Sequence, residues 1–119
     1  MRIKITQYGY PGDPYADSFT EAGWGGWGNR LSGGSCALTD GAVQSLGLTK
    51  ARHGAKLQID FTKEKGGHTL RLIRFWDDRA PEAEPRCDLY QPRGFDKSLP
   101  DFAEVTVIED VGSTKANPL

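Results

Sequence analysis

Apolar residues in this chain come in short alternating bursts, each closed by glycine, proline or a charged turn, and that pattern restricts the fold more than any other feature. Ile3 and Ile5 alternate with Lys4 and Thr6 across the segment Arg2 to Tyr8. Leu57, Ile59 and Phe61 alternate with Lys56, Gln58 and Asp60, and Val105 and Val107 alternate across Ala103 to Ile108. A period of two puts one side of each segment in a core and the other toward solvent, as in a half-buried strand. With 15 Gly and 7 Pro among 119 residues, long helices are disfavoured and a loop-rich, all-β chain is expected.

The remaining segments fit the same plan. Gly9 to Gly34 is dense in Gly, Pro, Asp and aromatic residues without a clean period, and reads as one long surface loop. Ser35 to Leu38 makes a short strand, Thr39 and Asp40 offer caps for a brief helix over Gly41 to Leu46, and Gly47 stops it. Lys56 to Phe61 and Thr69 to Trp76 form a hairpin across the Gly66-Gly67 turn. In its second arm Leu70 and Leu72 share one face and Ile73 and Phe75 the other, which calls for a bulge or for a strand apolar on both sides. Asp77 to Arg86, with two prolines and alternating charge, reads as a loop, and Cys87 to Tyr90 as a short strand. Phe95 to Leu99 makes one helical turn before Pro100. The sum is a single domain over residues 1–110: about six short strands closing into a small barrel, one or two short helices, the loop 9–34, and a tail over 111–119.

Composition removes several classes of function. The 15 Lys plus Arg balance 16 Asp plus Glu, for a formal charge of -1, which lacks the basic footprint of a nucleic-acid binder. No run is long enough to span a membrane, and the N-terminal residues are patterned as a strand instead of a signal peptide. Two cysteines, Cys36 and Cys87, are too few and too far apart for a structural zinc site, and either pair in one disulfide or stand as separate thiols. His53 and His68 are isolated in turn-like contexts. No metal, no cofactor and a monomeric chain are the expectation.

Two acids flank the Pro-bounded stretch 77–86. If their strands are neighbours, Asp78 and Asp88 face one cleft, where like-charge repulsion and partial burial would raise one pKa and keep a carboxyl able to protonate a glycosidic oxygen. The structural alternative is that Arg79 or Arg86 neutralises each acid. Upstream, the run Gly23-Trp24-Gly25-Gly26-Trp27-Gly28-Asn29 gives two indoles on a pliant backbone, suited to stacking on sugar rings or to packing over a barrel end. Tyr8, Tyr10, Tyr15 and Tyr90 are positioned in the sequence to extend such a platform.

These residues resemble a family. Asp78-Arg79-Ala80-Pro81 followed by Arg86-Cys87-Asp88-Leu89-Tyr90 is similar to the paired acidic motifs of the double-psi β-barrel group that contains rare lipoprotein A, membrane-bound lytic transglycosylase A and expansins. Ile5-Thr6-Gln7-Tyr8-Gly9 resembles the group's opening strand. Ser35 to Leu38, Leu46-Gly47 and Gly54 to Leu57 resemble its next strand, turn and strand. The likeness spans most of residues 2 to 108. Ala80 stands where the family has glycine, the loop between the acids is one residue short, and Tyr90 stands where the lipoprotein branch has serine, as in the transglycosylase A branch where an aromatic is usual. With Asp77 adjacent, either acid can be the first of the pair, and the motif context favours Asp78.

The resemblance implies a six-stranded double-psi barrel acting on a polysaccharide, above all peptidoglycan. Asp88 would be general acid and base of a lytic transglycosylase, and Asp78 the second carboxylate. Thr6, Tyr8, Arg79 and Tyr90, with Trp24 and Trp27, would bind substrate. The alternatives are a non-catalytic wall-binding or wall-loosening module of the expansin type and a barrel serving protein assembly. Such a function would place the protein in the periplasm or cell wall, or in a phage or secretion system.

Overall fold

The computed structural model describes residues 1–15, 22–48, 54–62 and 69–110. Six strands are present: β1 (Arg2–Tyr8), β2 (Ser35–Thr39), β3 (Lys56–Thr62), β4 (Thr69–Ala80), β5 (Arg86–Tyr90) and β6 (Phe102–Glu109). They hydrogen-bond in the order β1-β5-β2-β4-β3-β6, and β6 returns to β1, so the sheet closes into a barrel. Only β3 and β4 are both consecutive in sequence and paired; every other pairing joins strands distant along the chain. Two pairs are parallel, β1 with β5 and β2 with β4, and the rest antiparallel.

The alternation seen in the sequence is the alternation of the barrel wall. Ile3 and Ile5 of β1, Leu57, Ile59 and Phe61 of β3, Cys87 and Leu89 of β5, and Ala103 and Val105 of β6 point inward, and Trp76 and Leu38 complete the core. Each fully buried aliphatic or aromatic side chain contributes about 1.5–3 kcal/mol by leaving water. Strand β2 departs from the alternation: all five residues are buried. It is flanked by β4 and β5, and the helix that follows it packs its buried Ala42 and Val43 into the same core as Cys36 and Leu38.

The single described helix, α1 (Asp40–Ser45), begins where β2 ends. Thr39 is its N-cap: the Oγ1 accepts from the Ala42 amide at 3.2 Å and from the Arg86 amide at 2.9 Å, while donating to the Glu84 carbonyl at 2.5 Å. One hydroxyl therefore starts the helix and fastens the segment leading into β5. Gly47, at φ +73°, ends the helix, and the Leu48 amide returns to the Val43 carbonyl at 2.9 Å.

Two expectations change. Asp77–Ala80 is strand, not loop: β4 continues to Ala80 and pairs with Ala37, Leu38 and Thr39 of β2. A register shift makes this possible. Trp76 pairs with Cys36 but Asp78 pairs with Ala37, so Asp77 is the extra residue of a bulge, and the strand carries on until Pro81. Asp96 to Leu99 forms a hydrogen-bonded turn with no helix; Asp96 accepts from the Ser98 amide and hydroxyl at 2.9 and 2.7 Å. The Gly66-Gly67 turn, His53, His68 and the tail lie outside the described residues.

Gly41 separates helix propensity from local packing. In an open helix, glycine to alanine gains about 1 kcal/mol. Here a Cβ would lie 1.9 Å from the Ala83 carbonyl oxygen. The contact must dominate, so Gly41→Ala is expected to lower stability by about 1–3 kcal/mol in urea unfolding; a gain in stability would contradict the packing of α1 on that loop.

Candidate functional site: a cleft over four strands

Because β2 is shared, one line of residues crosses four strands. Thr6 of β1 pairs with Asp88 of β5, Asp88 with Ala37 of β2, and Ala37 with Asp78 of β4. Along β1, Lys4 and Tyr8 share the outer face of Thr6, opposite the buried Ile3 and Ile5. These side chains floor an open cleft of about 760 Å³. Trp24, Gly25, Gly26 and Gly28 of the glycine-rich segment also line it, as do Tyr10, Asp13 and Tyr15.

Asp88 is 8% exposed and is the only buried charged residue among those described. Its carboxylate accepts from Thr6 Oγ1, and Arg86 grips it with two bonds, Nε to Oδ1 at 2.6 Å and Nη2 to Oδ2 at 3.0 Å. This is the forked, charge-assisted geometry available to arginine. The same guanidinium lies 3.5 Å from Glu82. Its proton is held more tightly than usual, first through the hydrogen bond to Asp88, with the charges of Asp88 and Glu82 adding to it against the cost of burial.

Asp78 is held differently, by three neutral donors: the Tyr8 hydroxyl at 2.8 Å, the Gly26 amide at 2.8 Å and its neighbour Arg79's amide at 2.9 Å. Tyr8 titrates far above its ordinary range, first because it is buried and then because the Asp78 charge and hydrogen bond oppose a phenolate. It therefore acts as a fixed donor. Asp77, the other acid of the pair, accepts from Ser35 Oγ at 2.7 Å, and its carbonyl accepts from Asn29 Nδ2 at 2.8 Å.

Adjacent acids thus tie the glycine-rich segment to the end of β4. The approach is close enough that a Cβ on Gly25 would stand 2.3 Å from the Asp77 carbonyl oxygen. The segment turns tightly, with Gly28 at φ +77° and its amide on the Gly25 carbonyl at 3.0 Å.

The sequence-nominated residues divide by this geometry. Thr6, Tyr8, Trp24, Asp78, Arg79 and Asp88 all border the cleft. Trp24 is 38% exposed, with the Arg30 guanidinium 4.5 Å from its ring centre. Trp27 and Tyr90 lie outside the cleft lining. Trp27 packs edge-on against Trp76 with ring centres 5.1 Å apart, and Tyr90, 6% exposed, packs against Tyr8 at 5.4 Å. Asp78 and Asp88 do not meet as like charges, because β2 stands between their strands, placing their backbones about 10 Å apart at the usual interstrand spacing.

Sequence reasoning passed over Lys4, Ala37 and Glu82, which also line the cleft. The signal for Lys4 is its place on the period-two face of Thr6 and Tyr8. Cys36 and Cys87 are free, buried thiols on adjacent strands; the hydrogen bond from Cys87 and then burial push the Cys36 thiol up, away from nucleophilic use. Among the described residues, no three His, Cys, Asp or Glu side chains gather as a metal site, and no helix is long and apolar enough to cross a membrane.

Comparison with protein-family models, with curated proteins and with solved structures gave no match.

Tyr8 gives the site a pH signature. The folded phenol resists ionisation while the unfolded one ionises near 10, so its contribution is whole below pH 10 and is lost as pH rises above it. Tyr8→Phe is expected to cost about 1.5–3 kcal/mol at pH 7 through the lost bond to a carboxylate. It should also remove about 1.4 kcal/mol per pH unit from the alkaline slope of stability above pH 10. Urea unfolding between pH 8 and 11 measures both; identical slopes would place Tyr8 in water.

Proposed function

We propose that this chain is a double-psi β-barrel that binds a glycan strand, with peptidoglycan as the substrate class. The observation that carries the reading is the row Thr6–Asp88–Ala37–Asp78 at the floor of an open cleft bordered by Tyr10, Tyr15 and Trp24. A sugar chain presents flat apolar faces edged by hydroxyls, and needs aromatic surface beside fixed, fully oriented hydrogen-bonding groups. Ala37 supports the reading because it leaves the middle of the row empty of side chain beyond Cβ. The interleaved strand order with two parallel pairs supports the double-psi assignment, as does the sequence resemblance around both acids.

Cleavage is the second reading, favoured by the burial of Asp88 directly beneath the cleft. Asp78 is tied to the glycine-rich segment through the Gly26 amide, whereas Asp88 lies against an arginine that has a second acid beside it, so a single-carboxyl cycle on Asp88 suits the site better than a two-carboxyl hydrolysis. In that cycle Asp88 gives a proton to the glycosidic oxygen between N-acetylmuramic acid and N-acetylglucosamine. It then takes the proton of the muramic 6-hydroxyl as that oxygen closes a 1,6-anhydro ring. Arg86 must first leave Asp88, which then takes up a proton from water, and Glu82, 3.5 Å from the guanidinium, is a ready second partner for Arg86.

Incubation with purified sacculi tests both readings. The protein is expected to sediment with sacculi, and a cleaving enzyme would release anhydro-muropeptides that mass spectrometry detects. Asp88→Asn should release none while its circular dichroism stays that of the wild type, because the amide keeps the volume but cannot supply the proton. Failure to sediment would remove the glycan reading, and equal release by Asp88→Asn would remove the assigned acid.

A further inference from the structure

We infer that the cleft selects a glycan carrying carboxylates, through Lys4 and Arg79; this rests on the glycan-binding reading. The charges of the cleft can be accounted for group by group. Asp78 is satisfied by Tyr8, Gly26 and its own neighbour's amide, and Asp88 by Thr6 and Arg86. Asp13 accepts from the Gly9 and Tyr15 amides at 2.8 and 3.0 Å. Arg86 is shared between Asp88 and Glu82. What remains, among the described residues, is two exposed cations without an anionic partner, Lys4 and Arg79.

Both cations sit where that matters. Lys4 pairs with Arg86 in the parallel β1·β5 register, so two positive side chains stand side by side on one face. Like charges opposite one another are unfavourable, and Arg86 relieves this by turning onto Asp88, which leaves Lys4 facing the cleft. Arg79 lies at the other side, three strands away, its guanidinium 5.7 Å from the Trp27 ring centre. That stacking holds the planar group without consuming its charge. The two positions are separated by roughly 14 Å of sheet at the usual interstrand spacing, too far for one carboxylate to reach both. Two anions at intervals along a strand fit the pair, as in a glycan whose sugars bear lactyl, uronic or peptide carboxylates.

The test uses soluble muropeptide chains and the same chains with their carboxylates converted to amides by carbodiimide coupling, titrated into the intact protein by calorimetry. The native chains are expected to bind at least ten-fold tighter than the amidated ones, with affinity falling as salt rises from 50 to 200 mM. Lys4→Gln with Arg79→Gln should bring the two ligands to equal affinity; both residues are exposed, so the fold is retained. Equal binding of native and amidated chains by the wild type would overturn the carboxylate subsite and leave the glycan reading standing. Binding of neither would overturn both.

Discussion

Ala37 is the residue on which the site depends. It is paired on one side with Asp88 and on the other with Asp78, so β2 is the strand that brings the ends of β4 and β5 to one cleft. The bulge at Asp77 sets the register of that double pairing. Without it Asp77, which here serves Ser35, would take the place of Asp78 opposite Ala37. A larger residue at Ala37 would project between the two acids and fill the floor that an extended ligand needs. The barrel's long-range pairing makes the site a product of the completed fold, since every strand of the row except β4 has only sequence-distant neighbours.

Charge organisation follows from that row. Each acid is satisfied by a different means, Asp88 by a forked arginine and Asp78 by neutral donors, one of which is a backbone amide of the glycine-rich segment. Asp78 is thus a structural clamp as much as a part of the cleft surface. Asp88 is joined to a cation that has a second acid, Glu82, 3.5 Å away. The hydrophobic core plays a passive part: it fixes the inner faces of β1 and β5, and thereby aims Lys4, Thr6, Tyr8, Arg86 and Asp88 outward.

Much of this was legible in the sequence because it depends on local pattern. Strand β1 follows from the alternation of Ile3 and Ile5, and α1 from Thr39 as cap and Gly47 as stop. The extension of β4 through Asp77-Asp78-Arg79-Ala80 was not legible. Charged residues in a row carry no period, and what makes them strand is a bulge and a parallel partner more than thirty residues away. The roles of the two tryptophans were equally hidden. Trp24 and Trp27 sit in the same glycine context, yet one borders the cleft and the other closes the core against Trp76. Arg86 was recognisable as a neutralising partner, but its bidentate grip on Asp88 depends on both residues occupying one face of β5.

In the proposed function, ligand is held over the row Thr6–Asp88–Ala37–Asp78. Amide and indole chemical shifts of the isotopically labelled protein, followed while a soluble muropeptide chain is added, test it most directly. The expected result is movement of the Thr6, Gly25, Gly26 and Asp88 amides and of the Trp24 indole, with the Trp27 indole changing least. Shifts confined to the groove beside α1, around Asp40, Val43 and Leu48, or no shifts at all, would contradict it.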